Sequence, residues 1–132
     1  MSGKEGLSLK IMLVEDDHGF RSSLAGLLTS KFPSVVIGEA GDGVEAMDKV
    51  ASFLPQIIFM DIKLPGQSGL TLTKRIKTLH PEINVIILTS YDFPEYREAA
   101  QACGAYAFLS KGSSTAGEIQ DLVEVLWAKS AP

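Results

Sequence analysis

Apolar residues along this chain fall into short unbroken runs, and each run is followed by a stretch in which they recur every three or four positions. A run of four to six, bounded by turn formers, predicts a strand buried on both faces; recurrence at i, i+3 and i+4 predicts a helix with one buried stripe. Leu9 to Val14, interrupted only by Lys10, is the first strand. Phe20, Leu24, Leu27 and Leu28 then predict a helix from about His18 to about Ser30, broken by Pro33. Val35 to Ala40 is the second strand. Gly41-Asp42-Gly43 is a turn in which Asp42 and Glu45 resemble a capping box, and Val44, Met47, Ala51 and Leu54 predict the buried stripe of the second helix, stopped by Pro55. Gln56 to Met60 is the third strand. Beyond the Pro65-Gly66 turn, Leu72, Ile76 and Leu79 mark the third helix, closed by His80-Pro81. Asn84 to Leu88 is the fourth strand. Phe93 to Cys103 is the fourth helix, with Pro94 in its first turn and Gly104 as its stop. Ala105 to Leu109 is the fifth strand. Thr115 and Glu118 form a second capping box, and the fifth helix runs to about Ala128 on a stripe of Ile119, Leu122, Val123 and Leu126.

Five strands alternating with five helices predict an α/β domain with a parallel sheet and helices on both faces. Crossovers between parallel strands are right-handed, and such sheets carry their functional groups at the carboxyl ends of the strands. The alternation alone leaves the strand order open. The residues leaving the strands are Glu15 and Asp16 from the first, Asp61 from the third, Thr89 with Ser90 from the fourth, and Lys111 from the fifth. A parallel sheet brings all of them to one edge.

Three carboxylates at one edge repel one another, and a bound divalent cation relieves the repulsion. Oxygen donors without clustered His or Cys point to Mg2+ rather than zinc. The position after the first strand, where a mononucleotide-binding fold carries a glycine-rich phosphate loop, is acidic here, so phosphate binding without a metal is disfavoured. With the cation present, the same edge can receive a phosphoryl group, its oxygens neutralised by the metal and Lys111 and hydrogen-bonded by Thr89. Asp61 is then the natural nucleophile, because carboxylates form acyl phosphates.

Composition narrows the partners. The 132 residues are 45% hydrophobic and 21% charged, with a formal net charge of -4 and a pI near 5.1. That balance fits one globular domain and offers no general attraction to nucleic acid. No apolar stretch approaches the roughly 20 residues of a membrane helix. The single cysteine, Cys103, has no partner for an internal disulfide, which fits a reducing cytoplasm.

Val14-Glu15-Asp16-Asp17, Met60-Asp61 with Leu64-Pro65-Gly66, Leu88-Thr89-Ser90 and Leu109-Ser110-Lys111 together resemble the motif set of the two-component response-regulator receiver domain. The resemblance implies a three-layer, doubly wound (βα)5 fold with a parallel five-stranded sheet in the order 2-1-3-4-5. It implies a flexible leader over 1–7, a receiver domain over 8–129 and a tail or linker over 130–132. It assigns Asp61 as phosphoacceptor; Asp16, Asp61 and the backbone carbonyl of Lys63 as ligands of Mg2+ or Mn2+, with Glu15 acting mostly through water; Thr89 as switch hydroxyl; Lys111 as the phosphate-pairing lysine; and Phe108 as the rotating aromatic. The implied partner is a sensor histidine kinase or phosphotransfer protein. The face built by the fourth helix, fifth strand and fifth helix would change on phosphorylation and allows a homodimer. Two residues depart from the family pattern. Glu15 replaces the commoner Asp, and Gly112 follows Lys111 where many members have proline, so the peptide bond there is expected trans or strained.

Other readings compete. A phosphatase of the haloacid-dehalogenase type also uses a strand-end Asp, but in Asp-x-Asp, and Lys63 stands where the second Asp belongs. A non-phosphorylated pseudo-receiver is disfavoured by the intact Asp61, Thr89 and Lys111. Asp17 is expected as a helix cap rather than a ligand, Cys103 as a small buried hydrophobe, and Lys63 as a solvated side chain whose backbone matters more. The chain ends soon after the fifth helix, which predicts either a stand-alone receiver or part of a longer regulator.

Overall fold

The computed structural model describes residues 8–130. The expected leader over 1–7 and the last two residues of the expected tail lie outside the described residues. The elements are β1 (Lys10–Val14), α1 (His18–Lys31), β2 (Val36–Ala40), α2 (Gly43–Phe53), β3 (Ile57–Met60), the short strands β4 (Lys63–Leu64) and β5 (Gln67–Ser68), α3 (Gly69–Leu79), β6 (Asn84–Thr89), α4 (Pro94–Ala102), β7 (Ala107–Ser110) and α5 (Ala116–Ser130). The main sheet is parallel in the order β2-β1-β3-β6-β7. With the antiparallel β4–β5 hairpin set aside, this is the 2-1-3-4-5 order implied by the resemblance.

Each central strand alternates its side chains between two cores, as a period of two requires. Met12, Val14, Ile58, Met60, Val85 and Ile87 pack against α2, α3 and α4 through Ala46, Val50, Leu72, Ile76 and Ala100. Ile11, Leu13, Ile57, Phe59, Ile86 and Leu88 face the other way, onto Leu24 and Leu28 of α1 and Ile119, Val123 and Leu126 of α5. Burying each such side chain stabilises the fold by about 1.5–3 kcal/mol. With apolar layers on both sides, the strands are fixed in register and their ends are held level (Val14 beside Met60, Met60 beside Ile87).

Local chemistry sets the helix ends. Asp17 caps α1 by accepting from the Phe20 N–H at 3.0 Å. Asp42 caps α2 through the Glu45 N–H at 2.9 Å, while Glu45 reaches back to the Gly41 N–H rather than to the cap residue itself. The Thr115–Glu118 box forms, with Thr115 Oγ1 accepting from the Glu118 N–H at 3.1 Å. Gly104, at φ 95°, follows α4 in a conformation that favours glycine.

The second helix corrects the sequence expectation. Val44, Ala51 and Leu54 are exposed, and the buried face is Gly43, Ala46 and Val50 with Met47 and Phe53 partly buried. Two apolar stripes compete on this helix. The Phe53 ring packs so close to Gly38 of β2 that a β-carbon at Gly38 would stand 3.0 Å from it, and this knob-in-hole contact turns Val44 outward. Leu79, expected in the α3 stripe, is also exposed, one turn beyond the buried Leu72 and Ile76. Cys103 is only half-buried.

Candidate functional site

Strand β1 ends at Val14, and the backbone still follows the sheet for one residue, the Glu15 N–H donating to Ala40 O at 3.0 Å. Burial at that point makes Glu15 an acid beneath the surface (4% exposed), whereas Asp16, one residue on, is exposed. From the neighbouring strand, the Asp61 N–H bonds Val14 O at 3.0 Å, which places a second buried acid, 7% exposed, beside the first. Carboxylate oxygens of Glu15, Asp16 and Asp61 all lie within 4.8 Å of one another.

Lys111 closes this cluster from the far side. Its N–H bonds Thr89 O at 2.9 Å, extending the β6–β7 ladder by one residue and aiming the side chain back over the edge. Lys111 Nζ pairs with Glu15 Oε1 and lies 3.2 Å from Asp61 Oδ2, so one ammonium bridges two buried carboxylates. The Phe20 ring lies 4.3 Å from the same Nζ and supports it from α1. Asp61 Oδ1 accepts from the Ile62 N–H at 2.7 Å, and Glu15 Oε2 from the Asp17 N–H at 3.1 Å.

Burial pushes the Glu15 carboxyl above its ordinary value; the hydrogen bonds from Lys111 and the Asp17 N–H oppose the rise, and the neighbouring Asp61 charge adds to it. Burial works against the charge of Lys111 as well. There the hydrogen bond to Glu15 and the negative charges of Asp61 and Glu15 outweigh it, and the ammonium is held above its ordinary value. Three carboxyl groups thus stand against one lysine. The donors of the cluster are all carboxylate oxygens, two of the three acids are buried, and they converge on one point, which fits a hard divalent cation such as Mg2+.

Thr89 is the last residue of β6 and fully buried, and its hydroxyl accepts from the Tyr91 N–H at 3.3 Å. Phe108, on β7, is half-buried, with the Arg97 guanidinium 4.6 Å from its ring. Lys63 opens β4. Its side chain is exposed as expected, but its Nζ lies over the rings of Tyr91 and Tyr96 at 5.3 and 5.6 Å instead of being simply solvated. Among the described residues there is no cis peptide bond, so the Lys111–Gly112 bond is trans.

Two supporting residues escaped the sequence reading. Gly69 begins α3 against the backbone of Asp61, leaving no room for a side chain. Arg21, on α1, donates through Nη1 to the Glu15 carbonyl at 2.5 Å. The glycine following Ser68 at a helix start was a signal for the first; a basic residue on an otherwise solvated helix face gives none for the second.

Residues 11–124 match the family model of the response regulator receiver domain. Response regulator GacA of Pseudomonas syringae pv. syringae is 28% identical over 112 residues, covering 85% of this chain and 52% of that protein. The oxygen regulatory protein NreC of Staphylococcus aureus is 33% identical over 106 residues, covering 80% of this chain and 49% of its own. The chain thus spans about half the length of these curated relatives. Among solved structures, a LuxR-family two-component response regulator from Aurantimonas superposes with a TM-score of 0.83 at 28% identity, over 92% of this chain and 86% of that one. The receiver domain of the response regulator NarL from Mycobacterium tuberculosis gives 0.82 at 29% identity, over 93% and 98%.

Proposed function

Because this chain belongs to the response regulator receiver domain family, a family of signalling modules rather than substrate-turnover enzymes, we propose that it is switched by phosphorylation of Asp61. The observation that carries the reading is the Lys111 bridge: a half-buried ammonium shared by the buried Glu15 and Asp61 within an acid cluster able to converge on one cation. Glu15, Asp16, Asp61 and the backbone carbonyl of Lys63 would hold Mg2+ or Mn2+, which when bound supplies neutralising charge for phosphoryl oxygens.

The donor is a phosphohistidine on a sensor kinase or phosphotransfer protein. A carboxylate oxygen of Asp61 attacks the phosphorus; the O–P bond forms as the P–N bond breaks, and the imidazole, taking a proton, departs. Lys111 leaves its carboxylate partners to pair with the incoming phosphoryl group. The modification adds about -1.5 to -2 charges and three strong acceptors. The Thr89 hydroxyl, which accepts from the Tyr91 N–H, turns to donate its proton to a phosphoryl oxygen, and Phe108 leaves Arg97 to fill the space behind it. The α4–β7–α5 face then changes shape, a two-state element biased by local contacts. That face meets an output domain or a second copy of the chain. Similarity to a DNA-binding response regulator of the LuxR family from Staphylococcus aureus and to the transcriptional regulatory protein YesN of Bacillus subtilis makes transcriptional control the output we favour, in the cytoplasm, with DNA contacts made outside this domain.

The test is direct. Incubation with a small phosphodonor and Mg2+ should give a base-labile adduct of one phosphoryl group by mass spectrometry. No adduct, or one that persists in Asp61→Ala, contradicts the reading.

A further inference from the structure

Where β1 leaves the sheet, the Glu15 carbonyl is bound by a side chain from another element: Arg21 Nη1 donates to it at 2.5 Å. The same guanidinium donates through Nε to Glu39 Oε1, on β2, at 2.9 Å, and its Nη2 lies 3.4 Å from His18 Nδ1. The Arg21 side chain is 17% exposed, and its planar fork fixes the angle between its bonds. One residue of α1 therefore clamps the end of β1 to the end of β2.

We propose that Arg21 is a positioning residue for the acid cluster, setting the Glu15–Asp16 peptide so that Asp16 converges with Glu15 and Asp61 on one cation. Asp61 is placed by the Ile62 N–H and by the sheet, and Glu15 by the Asp17 N–H and Lys111. Asp16 is exposed, so the direction in which it leaves the backbone decides where its carboxylate goes. That direction follows from the orientation of the peptide whose carbonyl Arg21 holds. By charge alone a guanidinium so near a cation site opposes metal binding; the Glu39 carboxylate at 2.9 Å offsets that charge and leaves the geometric effect.

The inference rests on the metal-binding reading above, and the sign of one substitution separates the causes. Arg21→Met keeps the length of the side chain and removes the donors. Its Mg2+ Kd, measured by calorimetry on the whole chain, should rise about tenfold, as for loss of a group that orients metal ligands. Its metal-free melt should stay cooperative. A purely electrostatic role predicts tighter Mg2+ binding, and a purely structural one predicts a lower metal-free Tm with an unchanged Kd; either result overturns the proposal. Arg21→Lys keeps the charge but loses the fork and should show an intermediate Kd. Should Arg21→Met fail to fold, Arg21→Lys decides, and a wild-type Kd in that variant overturns the proposal. If the unsubstituted chain itself binds no Mg2+, the functional reading fails along with it. If it binds and both variants bind equally, only the role of Arg21 falls.

Discussion

Gly69 meets Asp61 backbone to backbone: a β-carbon at position 69 would stand 1.8 Å from the Asp61 carbonyl oxygen and 2.8 Å from its carbon. The Gly69 N–H is at the same time held by Ile62 O at 2.7 Å, so α3 cannot back away without breaking the turn that follows the acid. Gly69→Ala should therefore lower stability by about 1–3 kcal/mol, the usual cost of overpacking. It should also slow phosphoryl uptake, since relief comes by moving Asp61. A thermal melt and an adduct time course check both; wild-type values in each would show that the backbone yields elsewhere.

Removing the shared cation should expose the repulsion it hides. Lys111→Met leaves Glu15 and Asp61 buried side by side, and loss of hydrogen bonds to charged groups costs about 1.5–3 kcal/mol in the metal-free protein. Mg2+ should restore part of this, so its stabilising effect should be larger in the variant than in the parent. Melting curves with and without Mg2+ measure the difference.

The pH dependence carries two opposite-looking limbs with the same sign. Lys111 is held above its ordinary value of 10.5 in the fold, so its stabilisation is complete below that pH and is lost as pH rises through the folded value. Glu15 is also raised, above 4.5, so the metal-free fold is favoured by this group in acid and loses that contribution as pH climbs through the folded value. Glu15→Gln should flatten the acid limb and raise the metal-free Tm at neutral pH while weakening Mg2+ binding. Denaturation midpoints across pH test it, and a lower Tm at pH 7 would contradict it.

Magnesium should stabilise the fold by mass action, about 2.7 kcal/mol at one hundred times its Kd. Asp61→Asn and Asp16→Asn should each suppress the gain. A parent melting curve unmoved by tens of millimolar Mg2+ would argue against a metal site.

Arg97 should act as a brake on Phe108. Its guanidinium lies on the ring and is itself anchored to Asp92 Oδ1 at 2.6 Å. An exposed cation–π contact contributes roughly 0.5–1 kcal/mol. Arg97→Ala should raise the population with Phe108 turned inward about two- to fivefold before phosphorylation, which ring chemical shifts would register.

The sheet and its acidic edge were legible because each depends on a local pattern. The apolar runs of β1, β3 and β6 are buried on both faces, those of the edge strands β2 and β7 only in part, and the acids stand where the central runs must surface. What sequence concealed were choices between equivalent local patterns. The second helix is apolar on two sides, and only the hole at Gly38 selects the face that carries Phe53. The β4–β5 hairpin, paired Lys63 with Ser68 and Leu64 with Gln67, is too short for any periodicity to announce it. Arg21 and Gly69 act across 6 and 8 positions of chain on neighbours that only the fold brings to them.

The grip of Tyr91 and Tyr96 on Lys63 has a mechanical consequence. The segment just past Asp61 and the opening turn of α4 are fastened at the rim like two pages under one clip. Under the switching proposed above, a displacement of either would pull on the other, giving charge that arrives at the sheet edge a second route to the helix, over the rim, beside the inward path through Thr89 and Phe108.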